Sequence, residues 1–203
     1  MACSWSCVSA ATDTRNPSEP SAGRTNVHPL SRFLPDPDDR DWNRCAQAAV
    51  AAMLEPHALG PYAQGANPSP ETAISELMTT HPPDMPFRFG STAFRLARML
   101  RDHGFTVRLL SSSWLGRRRE ATLAQVARHA AAGWPVPVCL DDGLLGGRAF
   151  EAHWALVHDV QPDHVTLSLA RSRQLPLEQF LEAWNCRHLP YMHDHCAVLA
   201  ERW

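Results

Sequence analysis

The sequence has no lysine. All 19 basic residues are arginine, set against 21 acidic ones in a chain of 203, for a formal net charge of −2. Arginine without lysine, beside 17 prolines and many alanines, reads as the codon habit of a GC-rich genome rather than as a function. A slightly negative chain is not built to coat nucleic acid, so no nucleic-acid partner is expected. The one basic run, Arg117–Arg119, reads as a solvated face. No run of 18 or more apolar residues is present, which excludes a transmembrane helix, and no membrane partner is expected. Six cysteines at irregular spacing are too few for a disulfide scaffold in a chain of this length. Met1–Ala11 lacks the basic start and apolar core of a signal peptide, so a reduced, cytoplasmic protein is expected. A 44% hydrophobic and 20% charged composition excludes wholesale disorder.

What is present divides into a tail and one domain. Residues 1–32 are rich in Ser, Thr, Asn, Pro and Gly and show no apolar period, so they are expected to be a disordered tail. The folded domain is expected over residues 33–203, entered through an acidic turn at Pro35–Asp41. Asn43–Leu54 reads as an Ala-rich helix with Asn43 as N-cap, stopped by Pro56. Ser69-Pro70-Glu71 starts a second helix that runs to about Thr79. A third runs from Ser91 to about His103, with Gly104 behind it.

The period then changes. Phe105–Leu110 and Pro135–Leu140 read as strands on either side of a helix over Thr122–Ala132. Asp142–Gly147 reads as a Gly-rich loop. Ala152–His158 and His164–Ala170 are expected to pair as a hairpin around Gln161-Pro162-Asp163, which leaves His158 and His164 exposed beside the turn. Pro176–Trp184 is a short helix and Cys196–Glu201 a last strand. Helices first and mostly antiparallel strands after make an α+β pattern rather than alternating βαβ.

Two residues stand out chemically. Cys45 falls in the first turn of the first helix, where the helix dipole and free backbone N–H groups favour thiolate over thiol. A nucleophilic cysteine needs a base, and His153 sits in the apolar strand Ala152-His153-Trp154-Ala155-Leu156-Val157. A histidine there is rigidly held and partly desolvated, as a proton shuttle should be. The fold, not the sequence spacing, brings such a pair together.

These residues lie in segments that resemble one family. WNRCAQAAVAAML resembles the cysteine helix of papain-like cysteine peptidases, nearest to the bacterial group that removes double-glycine leaders from bacteriocin precursors. SPETAISELM and STAFRLARMLRDHGFTVRLL resemble that group's next helices, AAGWPVPVCLD its Gly-Xaa-Pro strand and AHWALVHDV its histidine strand. VTLSLARSRQLPLEQFLEAW resembles the stretch that carries the third triad residue. The resemblance covers Phe33–Trp203 in order and spacing rather than identity. It implies a papain-like α+β fold, with an N-terminal helical part packed on a mostly antiparallel sheet. It also implies Cys45 as nucleophile, His153 as base, a peptide or amide-bearing substrate, and no metal or organic cofactor.

The chain departs from the group in three places. Ala46 stands where the group has Gly after its Cys, and no Gln precedes Cys45, which leaves Asn43 or the Cys45 N–H as oxyanion donor. Ser168, Leu169 and Ala170 stand where the orienting Asp or Asn is found. Strand alternation points either Ser168 or Leu169 at His153, and of these Ser168 is the candidate third residue, as a weak acceptor. The alternative function is a catalytically inactive papain-like domain acting as a peptide-binding or interaction module. A separate cluster, Cys186, His188, His193, Asp194, His195 and Cys196, carries metal-ligand residue types but fits no zinc spacing, and reads as a polar loop.

Overall fold

A computed structural model describes residues 42–85, 90–112, 118–119, 122–146, 152–168, 172–185 and 195–202. The tail expected over residues 1–32 lies outside the described residues, as do residues 186–194 of the Cys/His cluster. A 3-10 turn over Trp42–Arg44 runs directly into α1, Cys45–Leu54. Every residue of α1 is buried. That is why it shows no polar stripe and is built of alanine, the residue that lets neighbours approach closely. The N-cap is Arg44 rather than the expected Asn43, because the 3-10 turn carries the chain into the helix before any side chain can cap it.

The next helices start on side-chain caps. In α2, Pro70–Thr80, the Ser69 hydroxyl accepts from the Thr72 N–H at 3.2 Å. In α3, Ala93–Asp102, Thr92 does the same for Arg95, and the Asp84 carboxylate holds Thr92 through two 2.7 Å bonds. Strand β1, Thr106–Ser112, follows, with the two-residue β2, Arg118–Arg119, beside it. Thr122 and Gln125 form a reciprocal capping box at α4, Leu123–Ala131.

The remaining elements are β3 (Val136–Asp141), a 3-10 turn at Asp142–Leu145, β4 (Ala152–Val160) and β5 (His164–Ser168). They continue with β6 (Ser172–Pro176), α5 (Leu177–Trp184) and β7 (Ala197–Glu201). The strands form one sheet in the order β2-β1-β7-β3-β4-β5-β6, every described pairing antiparallel. The β4–β5 hairpin turns where the sequence indicated, with Gln161 N donating to His164 O at 2.8 Å. The short β2 and β6 were not expected, since two and five residues leave little periodicity to read.

Both sheet faces are covered, so all six residues of β3 are buried. Cys139, Trp154, Leu156, Cys196, Val198 and Ala200 face α1, α2 and α3. Val138, Leu140, Ala155, Val157, Ala197 and Leu199 face the opposite way, toward α4 and α5. No helix among the described residues is long and apolar enough to cross a membrane. The α+β class, helices leading into an antiparallel sheet, is the one read from the sequence.

Candidate active site

Cys45 is the first residue of α1 and packs into the cluster that holds Trp154 and Leu156. The start of α1 is braced on both sides. The Arg44 guanidinium meets Glu71 of α2 at 2.8 Å. Gln47 Nε2 donates to His81 O at 2.9 Å and to Ser91 Oγ at 3.1 Å. Trp154 Nε1, from β4, donates to Ser91 O at 3.0 Å. Segment, helix and strand are thus tied at one place, and α1 lies directly against β4.

His153 is the second residue of β4 and pairs with Leu140 of β3. Cross-strand partners share a face. The imidazole therefore leaves the sheet on the Leu140 side, while Trp154 leaves it on the Cys45 side. Cys45 is the first residue of its helix and His153 the second of its strand, on opposite faces of the sheet by this register, so a substrate shared by the two would have to sit over the end of β4. The His153 Nε2 is shielded from solvent and has no hydrogen-bond partner. Burial holds this imidazole below the usual histidine range, and the Asp142 carboxylate pulls it partly back. A neutral imidazole at neutral pH is the form that takes a proton.

Ser168 is not the partner of His153. It pairs across the hairpin with Leu156, which lies on the Trp154 face, and its Oγ is 2.7 Å from Nε2 of His158. His158 shares the face of Leu156 and so of Ser168, and the register slips by one residue between Val157 and Asp159. His158, expected at the exposed turn, is instead a half-buried histidine held neutral by burial. His164 is on Asp163 at 2.7 Å. Leu169, the other candidate to face His153, lies outside the described residues.

The residue that sequence reasoning passed over is Asp142. The Asp142–Gly147 stretch reads as a loop, yet it opens with a 3-10 turn anchored by Asp141, whose carboxylate accepts from the Gly143 N–H at 2.9 Å. The signal was available in part: a carboxylate two residues past the apolar strand that precedes the histidine strand.

Of the Cys/His cluster, His195 and Cys196 are described. His195 has a left-handed backbone, with φ of 45°, and its ring meets Trp184 edge-on at 4.9 Å. Cys196 is buried in the same core cluster as α1, and its carbonyl accepts from Trp184 Nε1 at 3.0 Å. Among the described residues no three His, Cys, Asp or Glu side chains gather as a metal site.

The fold is similar to that of the peptidase domain of Streptococcus ComA, a bi-functional ABC transporter involved in quorum sensing. The two share 13% identity over 79% of this chain and 93% of that one, at a TM-score of 0.51. It is also similar to a C39-like peptidase from Bacillus anthracis, with 12% identity over 79% of this chain and 90% of that one, at a TM-score of 0.53. No protein-family model matches the sequence, and no curated protein sequence matches it. At these identities the likeness establishes a papain-like fold of the C39 kind.

Proposed function

We propose that the chain is a papain-like cysteine peptidase or amidase in which Cys45 is the nucleophile and His153 the base. The observation that carries this reading is the packing of α1, which begins with Cys45, against β4, which begins with Ala152 and His153, within a C39-like fold. The Cys45 proton passes to His153. The thiolate then adds to the substrate carbonyl, and backbone N–H groups at the start of α1 stabilise the oxyanion. The C–N bond breaks as the amine leaves with the proton from His153, and water releases the acid from the resulting thioester. This chemistry requires no metal or organic cofactor. The peptidase activity named for the ComA domain makes a peptide the substrate class of choice.

Two effects compete at Cys45. Its residue is only 5% exposed, and burial disfavours the thiolate, while the helix start favours it. The deciding experiment is the pH dependence of iodoacetamide labelling at Cys45, read by peptide mass spectrometry, with His153→Ala alongside. Labelling well below pH 8 that is lost in the variant is the expected result. The profile of an ordinary thiol, unchanged by His153→Ala, overturns the enzyme reading and leaves a catalytically inactive peptide-binding module.

A further inference from the structure

His153 carries a buried nitrogen without a partner, and the strand on which the resemblance seeks an orienting carboxylate supplies none. Ser168 of that strand is turned to His158. The other neighbour of β4 is β3, and its register leads to a charged group. Leu140 lies opposite His153, and Asp141 lies opposite Ala152. Asp141 keeps an extended backbone, with φ −78° and ψ 105°. Strand alternation therefore carries on one residue past it, and Asp142 emerges on the face of Leu140 and His153.

Asp142 then lies one residue past the last β3–β4 pair, on the face of His153. Its backbone is not free to swing. Asp141, itself 3% exposed, clamps the Gly143 N–H from the preceding residue. The 3-10 turn packs against both β4 and α5, and Asp142 is half-buried.

We propose that Asp142 is the positioning residue of the site: it orients His153 and stabilises the imidazolium formed when His153 takes the Cys45 proton. The inference rests on the Cys45–His153 reading and moves the third member of the site from β5 to the end of β3. Asp142 takes up no proton. The proton goes from Cys45 Sγ to His153 and on to the leaving amine, with the carboxylate fixing the ring and its tautomer. Among the described residues, Asp142 is the charged group whose field opposes the effect of burial on His153. A carboxylate on the strand before the histidine serves this role as well as one on the strand after it, because both strands flank β4 in the sheet.

The test uses the full chain carrying Asp142→Asn, Asp142→Glu or His153→Ala. Two quantities are followed against pH: iodoacetamide labelling at Cys45, and the imidazole resonances of His153 by NMR, assigned with His153→Ala. Asp142→Asn is expected to lower the His153 midpoint and to slow labelling near pH 6 by about tenfold, the effect of one pKa unit. Labelling at high pH, where the thiol ionises unaided, is expected to be unchanged. Asp142→Glu is expected to restore most of the low-pH rate. Should Asp142→Asn unfold, Asp142→Ser removes the charge while keeping a short polar side chain at the turn. A folded neutral variant with the wild-type midpoint and labelling profile overturns the role of Asp142 alone, provided His153→Ala still abolishes low-pH labelling. A wild-type protein that labels as a free thiol overturns the Cys45–His153 reading and this inference with it.

Discussion

Ser168 Oγ and His158 Nε2 meet at 2.7 Å across the β4–β5 hairpin, where Leu156, two residues before His158, pairs with Ser168. Ser168 is 1% exposed and His158 half-buried, so the pair is largely withdrawn from water. Ser168→Ala leaves the His158 nitrogen buried and unpaired, at a cost of about 1–3 kcal/mol of stability in denaturant titration. The same variant should leave low-pH labelling at Cys45 intact. A loss of that labelling without a loss of stability would return Ser168 to the catalytic site.

Acid should destabilise the protein through its histidines. His57, His81, His103, His153 and His158 all lie below the free value of 6.5, each chiefly because burial penalises the charged ring. Below that value the unfolded chain binds protons that the native chain refuses. Stability is therefore full above pH 6.5 and falls as pH drops through and below it. Denaturant midpoints at pH 7.5 and 5.5 check this, and equal midpoints would contradict the buried, neutral state of these rings.

Gly60 has little room for change. Its φ is +54°, and a Cβ there would meet His103 Cε1 at 2.9 Å and Leu54 Cδ1 at 3.0 Å. Gly60→Ala therefore combines backbone strain with a clash against the end of α1, and should cost about 1–3 kcal/mol in thermal or chemical unfolding. A neutral substitution would mean that the 3-10 turn at Gly60–Gly65 is free to shift.

Gln47 offers a graded test of how the start of α1 is held. Its Nε2 bridges His81 O and Ser91 Oγ, while its Oε1 is buried without a partner. Gln47→Met keeps the volume and removes both the bridge and the orphaned oxygen, for a loss of about 1–2 kcal/mol. Gln47→Ala adds a cavity and should cost about 3 kcal/mol. Equal losses in chemical denaturation would show that the bridge, not packing, secures the helix, and no loss in Gln47→Met would show the reverse.

Much of this protein is legible in one dimension. The capped starts at Ser69 and Thr122, the helical stripe of Leu96, Ala97 and Leu100, the apolar strands and the 161–163 turn are all local signals. Together they yield the order of elements and the α+β class. They also point to Cys45 and His153, because each sits at a recognisable place in its own element. The pairings among side chains are another matter. Which histidine Ser168 meets depends on the register of β5 against β4, and which carboxylate shares a face with His153 depends on the register of β4 against β3. A one-residue slip in either reverses the face of every side chain beyond it, and strand packing sets that register across the sheet rather than within either segment.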